Sequence, residues 1–224
     1  MTNAGGAVRE MNWIWTIGSP LVRTIMRLVF RVTIEGVEHV PRRGAVIIAP
    51  NHVSVLDGPA VVATVGSLRR RATRNLIAAE IFSGVTGWIL RQARQIPVRR
   101  GTGDTGALDE AITAIRGGGC AGVFPEGRVS DDPSAGLQRI RSGLTRIALP
   151  TGAPVIPVGI WGTQAVWSRS GFHRAALWRR PRLAIVFGPP LVPAEDDPAN
   201  FRARYLEALE AQLGRARHLT GALG

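Results

Sequence analysis

The sequence predicts an α/β fold: a mixed, largely parallel sheet flanked by helices, with an N-terminal amphipathic helix ahead of it. Three observations carry this expectation. Short apolar runs of strand length recur at 45–49, 76–79, 121–124, 155–160 and 183–187. Between them lie longer stretches with helical periodicity and recognisable start and stop residues, so strands and helices alternate as in a sheet with crossover helices. The chain has 224 residues and no internal repeat, enough for one such domain with a full core.

The elements follow in order. Trp13, Ile14, Trp15 and Ile17 precede Ser19-Pro20, a cap and first-turn pair, and then Leu21, Val22, Ile25, Met26, Leu28 and Val29. Arg23 and Arg27 fall on one stripe of that helix. Two tryptophans, a wide apolar face and a cationic stripe describe a helix lying in a membrane interface. The same pattern also suits a helix packed on its own domain, and both readings stay open. Interrupted by Arg23, Arg27 and Arg31, the stretch falls short of the ~20 apolar residues a membrane span needs. Met1 to Ala7 has no charge cluster and no clear cleavage site follows, so no secretory signal is expected. Residues 1–32 are therefore set apart as a membrane-interface segment from a body at 33–224.

Phe30 to Glu35 alternates and reads as an outer strand ended by Gly36. Ala45 to Ala49 follows Gly44 and stops at Pro50, as a buried strand does. Asp57-Gly58-Pro59 offers a capping residue and a first-turn proline before the helix around Ala60 to Val65. Arg69, Arg70, Arg71 and Arg74 form the densest positive cluster, either a solvated helix end or a place for phosphates. A strand at 76–79, a helix at 81–94 and an extended segment at 96–101 come next. Asp104 or Thr105 caps a helix through Ile115, where three glycines end it. The strand 121–124 leads through a polar loop, 131–136, to a helix at 137–149. Strands at 155–160 and 183–187 precede a last helix opened by Asp197-Pro198, amphipathic through Phe201, Tyr205, Leu206, Leu209 and Leu213.

Chemistry concentrates at Asn51-His52-Val53-Ser54-Val55-Leu56-Asp57, which places an imidazole and a carboxylate five positions apart. On one continuous helix such residues diverge by about 140°, at roughly 100° per residue. A bend between strand and helix instead lets Asp57 reach one imidazole nitrogen and set the tautomer, while the other nitrogen faces a substrate hydroxyl. His39, His173 and His218 have no acid five residues on. In an open sheet, sites lie beyond the carboxyl ends of the strands, where His52, Arg99, Arg100, Glu126 and Arg128 all fall.

Composition narrows the partners. The 28 basic residues are all arginine against 16 acidic ones, giving a net charge of +12. The absence of lysine excludes Schiff-base chemistry and the lysine-bearing phosphate loop, and leaves forked donors suited to phosphate. The single cysteine, Cys120, excludes an intrachain disulfide, and four scattered histidines without a His-Glu-x-x-His pattern make no metal centre.

Together these segments resemble the glycerolipid acyltransferase family with the His-x4-Asp motif, represented by 1-acylglycerol-3-phosphate acyltransferase. Asn51-His52-x-Ser54-x-x-Asp57 matches its first block without change. Ile96-Pro97-Val98-Arg99-Arg100 resembles the second, which ends in a phosphate-binding arginine, Arg100 by register. Phe124-Pro125-Glu126-Gly127 matches the third, usually followed by Thr-Arg-Ser; here Arg128-Val129-Ser130 moves the arginine one place. Val155 to Val158 fits the fourth block, and Ile140-Arg141-Ser142-Gly143 resembles a stretch that often reads Phe-Lys-x-Gly. Ala78 stands where many members have lysine. The resemblance spans roughly residues 30 to 190.

It implies that residues 33–224 form an acyltransferase domain, with His52 and Asp57 catalytic and Asn51, Ser54, Arg99, Arg100, Glu126, Gly127 and Arg128 binding substrate. The implied reaction moves a fatty acyl group from an acyl thioester, acyl-CoA or acyl carrier protein, to the hydroxyl of 1-acylglycerol-3-phosphate, giving phosphatidic acid for phospholipid biosynthesis. No cofactor beyond that co-substrate is expected. Partners would be the lysophospholipid, the thioester and a membrane surface, with the protein peripheral on the cytoplasmic face of the cell membrane. Glycerol 3-phosphate, a lyso-ornithine-type lipid or a glycolipid could replace the acceptor. A basic nucleic-acid-binding protein would share the charge, but the aromatics cluster at the N-terminus and in 161–178 rather than interleaving with basic residues, so nucleic acid is not expected.

Overall fold

A computed structural model describes residues 11–99, 104–193 and 197–222. A π-helical turn, Ile14–Gly18, runs into α1 (Ser19–Val29), followed by β1 (Arg31–Glu35), β2 (Val46–Pro50), α2 (Asp57–Arg69), β3 (Thr73–Ala78), α3 (Gly84–Gln92) and β4 (Ile96–Val98). Then come α4 (Thr105–Arg116), β5 (Cys120–Gly122), α5 (Gly143–Thr151), β6 (Val155–Trp161), a small hairpin of β7 (Trp167–Ser168) and β8 (Gly171–Phe172), α6 (Arg174–Arg179), β9 (Arg182–Phe187) and α7 (Pro198–Thr220).

Among the described residues, seven strands form one sheet in the order β1-β9-β6-β2-β5-β3-β4. Every neighbouring pair is parallel except β6 with β9, so β1 and β9 run against the other five. This is the mixed, mostly parallel α/β sheet the alternation of elements predicts.

The pleat of β2 divides the core. Ile47 and Ala49 pack with α4, α5 and α7 on one face, and Val46 and Ile48 with α1 and α2 on the other. All five residues of β2 are buried, which explains a run with no polar alternation. On α7, Phe201, Tyr205, Leu209 and Leu213 recur every fourth residue and are buried, each contributing roughly 1.5–3 kcal/mol. The helix lies so close to the sheet that a Cβ on Gly159 would fall 2.2 Å from the Gln212 backbone. Only glycine permits that approach.

Three local expectations need correction. Asp57 does not cap α2: Leu56 occupies that position and the Asp57 carboxylate turns back onto the loop before it. The helix expected from Leu137 starts only at Gly143, because Gln138 and Arg141 are tied to the strand-exit turn at Pro125 to Arg128. The arginine cluster is not a uniformly solvated end. Arg71 is 1% exposed and donates to the carbonyls of Pro41, Gly44 and Gly118, while Arg69 donates to Val40.

The N-terminal helix does two things. Its inner face packs on α2 through Met26, and Trp15 of the preceding turn is also buried, with Ser19 meeting Gly66. Its outer face leaves Trp13, Ile17, Leu21, Ile25 and Leu28 between 47% and 67% exposed, one row at near-helical spacing. Trp88 of α3, 6.1 Å from Trp13 between ring centroids, extends that row. Among the described residues no helix is long and apolar enough to cross a membrane.

Candidate active site

The carboxyl ends of β2 and β5 meet here. Past Pro50, Asn51 continues the pairing of β2 with β6 by its side chain, donating to the Ile160 carbonyl at 3.0 Å and accepting from the Ile160 amide at 2.7 Å. The chain then bends through His52 to Leu56 before α2 begins. That bend brings Asp57 Oδ2 to 3.0 Å from His52 Nδ1. A carboxylate only accepts, so Nδ1 carries the proton and Nε2 presents a lone pair. Phe124 lies beside the imidazole, with ring centroids 4.2 Å apart.

Asp57 is wholly buried and fully engaged. Oδ2 also accepts from the amides of Val53 and Ser54, each at 2.7 Å, and Oδ1 accepts from Thr163 Oγ1 at 2.5 Å. Its ion partner, by contrast, reaches the surface: the His52 side chain is 14% exposed. A buried anion orients a base whose other nitrogen can meet substrate.

Glu126 is held from two sides. Oε1 accepts from the His52 amide at 2.9 Å and Oε2 from Gln138 Nε2 at 2.7 Å. Burial pushes its pKa above the ordinary glutamate range, with the bonds from His52 and Gln138 opposing the rise. A raised folded pKa means the unfolded chain loses this proton first, so stability falls as pH climbs from the unfolded pKa through the folded one. Glu126→Gln should flatten that part of the stability curve, read as the urea midpoint against pH; an unchanged slope would show that Glu126 is not its source.

Gly127, at φ +72°, makes the turn whose amide donates to the Phe124 carbonyl at 2.9 Å. That amide is spent within the turn itself. A Cβ there would fall 2.9 Å from Cδ and Nε of Arg141, whose stem therefore lies against the turn. Arg128 points along the loop: Nε donates to Gln138 Oε1 at 3.1 Å and Nη2 lies 3.4 Å from Asp131. Arg169 binds Asp131 at 2.6 Å, which joins the β7–β8 hairpin to this loop.

Other expected residues sit elsewhere or act differently. Asn51 and Ser54 have no exposed surface; rather than facing substrate, they hold the loop. The Ser54 hydroxyl donates to the Trp167 carbonyl and accepts from the Leu56 amide. Arg99 leaves the end of β4, an edge strand three places from β2 and so about 14 Å away across the sheet. Its amide donates to Asp104 Oδ2 at 3.0 Å. Arg100 lies outside the described residues. Gln138, Thr163 and Arg141 join the site without having been singled out for it. For Gln138 and Thr163, an isolated polar residue in an unremarkable stretch offers no signal of its own.

Residues 31–161 match the protein family described as Acyltransferase. An uncharacterized protein of Mycobacterium tuberculosis is 32% identical over 187 residues, which cover 78% of this chain and 47% of that protein. A 1-acyl-sn-glycerol-3-phosphate acyltransferase of Borreliella burgdorferi is 27% identical over 142 residues, 59% of this chain and 52% of its own length. The chain thus spans about half the length of the curated relatives it matches. The crystal structure of a 1-acyl-sn-glycerophosphate acyltransferase from Thermotoga maritima superposes with a TM-score of 0.75 at 23% identity, covering 90% of this chain and 79% of that one. This last likeness is one of fold.

Proposed function

The chain belongs to the acyltransferase family, and from that premise we propose that it moves a fatty acyl group from an acyl thioester to the free hydroxyl of a glycerolipid acceptor, 1-acylglycerol-3-phosphate in the first instance. One observation carries this reading: an imidazole held at Nδ1 by a buried carboxylate, with Nε2 left to a substrate at the carboxyl end of the central strand. An alcohol is a poor nucleophile near neutral pH. His52 Nε2 takes its proton as the oxygen attacks the thioester carbonyl, and Asp57 stabilises the imidazolium formed. Collapse of the tetrahedral adduct breaks the C–S bond, and the proton passes from Nε2 to the departing thiolate. Neither a covalent acyl-enzyme nor Cys120 is needed; the cysteine is buried at the start of β5, the end of the strand away from His52.

Arg100, by the resemblance, and Arg128 are proposed to hold the acceptor's phosphate, and Glu126 to order the turn beside Arg128. The exposed apolar row of α1 suits a peripheral position on a membrane, where both lipid substrates reside. A lone cysteine suits the cytoplasmic face.

A second reading keeps the chemistry and changes the acceptor. Arg128 favours it, since Gln138 and Asp131 already engage its guanidinium, and Ala78 supplies no charge. The test is release of free thiol from acyl-CoA, or from an acylated carrier protein, in the presence of each acceptor in turn: 1-acylglycerol-3-phosphate, glycerol 3-phosphate, a lyso-ornithine lipid and a glycolipid. Fastest release with 1-acylglycerol-3-phosphate is expected. Faster release with another acceptor would move the assignment to it, and no acceptor-dependent release with any would remove the transfer reading.

A further inference from the structure

The strongest unassigned feature is an open depression of about 590 Å³ at the edge of the sheet, lined by Arg27, Arg31, Arg180 and Arg182 with Phe30 and Leu219 among its apolar walls. We infer that it binds the phosphate of an anionic phospholipid headgroup at the membrane surface, as a site separate from that around His52. The inference rests on α1 facing lipid, part of the reading above, and concerns what holds the protein there.

Charge supplies the first argument. Arg31 and Arg182 are partners in the parallel register of β1 with β9, so two like charges stand opposite each other on adjacent strands. Such a pair is destabilising unless something neutralises it. Among the described residues no acidic side chain lines the depression, and between Asp132 and Glu195 the sequence has eight arginines and no Asp or Glu. The compensation in view is the C-terminal end of α7, where Arg182 Nη1 approaches Gly221. A helix end supplies a partial charge of about −0.5, small against four whole positive charges.

Local structure supplies the second. Arg180 is held at φ +44°, a conformation costly for an L-residue, and from it Nη2 donates to the Arg27 carbonyl at 2.7 Å. The bond ties the segment after α6 to the last turn of α1 and gathers the cations around one opening. Arginine's fork suits phosphate oxygens.

Position identifies the source of the phosphate. Leu28, 67% exposed and next to Arg27, ends the apolar row of α1, and Trp178, 91% exposed, stands two residues before Arg180. The cations thus adjoin the surface proposed to enter lipid. Trp161 at the end of β6 pairs with Ala184, so the starts of β1 and β9 lie at the same end of the sheet as the end of β2. The depression and His52 are separated by two to three strands, about 10–14 Å across the sheet. A headgroup bound here would set that end of the sheet against the bilayer.

The experiment measures co-sedimentation of the full chain with neutral phosphatidylcholine vesicles and with vesicles containing phosphatidylglycerol, without any thioester, so that its outcome does not depend on acyl transfer. Arg31→Gln with Arg182→Gln should weaken binding to the anionic vesicles about thirtyfold, roughly fivefold per charge removed, and leave binding to neutral vesicles unchanged. A charge-matched double variant on the opposite face of the sheet, Arg146→Gln with Arg202→Gln, should lose far less, and Arg31→Lys with Arg182→Lys should recover part of the loss. Equal losses from the two glutamine pairs would overturn the site and leave only diffuse charge attraction. Inorganic phosphate binding, followed by calorimetry, separates the sources: its loss together with anionic-vesicle binding supports the assignment. Its loss with vesicle binding intact overturns it in favour of a soluble anion. Ile17→Ser with Leu21→Ser tests the α1 reading separately, by loss of binding to neutral vesicles.

Discussion

His52→Ala is expected to lower acyl transfer by roughly 10²–10⁴-fold, the usual contribution of a positioned general base, with little change in melting temperature. The stability half of this result follows from the geometry. His52 makes its structural bonds with the backbone, its amide donating to Glu126 and its carbonyl accepting from the Ser130 amide at 2.8 Å, and alanine keeps both. What is lost is the ring, which lies partly open to solvent beside Phe124. Turnover from thiol release and melting from circular dichroism check the two halves. Near-normal turnover in a pure His52→Ala sample would falsify the general-base role.

Replacing Asp57 should do damage of both kinds, and two substitutions divide them. Asp57→Ala strips the acceptor from four donors: the Val53 and Ser54 amides, Thr163 Oγ1 and His52 Nδ1. Leaving a buried donor unsatisfied costs about 1–3 kcal/mol. The two amides and the hydroxyl together cost several kcal/mol, a large part of the 5–15 kcal/mol by which a domain is typically stable. Asp57→Asn keeps an oxygen for the amides while its new N–H₂ can donate to the Thr163 hydroxyl, so most of the fold survives. The negative charge that stabilises an imidazolium does not. The expected pattern is a large fall in the urea midpoint for Asp57→Ala, a small one for Asp57→Asn, and a large fall in turnover for both. An alanine variant as stable as the parent would show that the loop is held by something else.

Much of this site is legible in the sequence, for a reason that also marks the limit. His52 and Asp57 are joined by one bend, so their meeting follows from a strand that must stop at Pro50 and a helix that starts at Asp57. Thr163 is 106 residues from the carboxylate it touches, and nothing local to either position announces the contact. Gln138 is nearer, but a helix pattern masks it: Leu137, Ile140 and Leu144 recur at helical spacing. Tertiary bonds from Gln138 to Glu126 and from the Arg141 amide to the Pro125 carbonyl outweigh that local preference up to Gly143. Charge misleads in the same way at Arg71, since a run of arginines reads as a wet surface until backbone carbonyls are seen to converge on one of them. The sheet's reversal at β9 is likewise hidden, because an apolar run has no direction written in it. The pattern at Met11 to Val29 leaves two uses open: α1 shows packing on its inner face, and the membrane-interface use is proposed for its exposed apolar row.

The hydroxyl of Thr163 and the carbonyl of Trp167, which brace Asp57 and Ser54, both lie beyond Trp161, where the stretch shared with the family ends. As the ribosome extends the chain from its N-terminus, the histidine and its acid emerge early, yet their bracing is completed more than a hundred residues later. A nascent or truncated chain ending at Trp161 would contain both His52 and Asp57 and lack two of the groups that brace the loop between them.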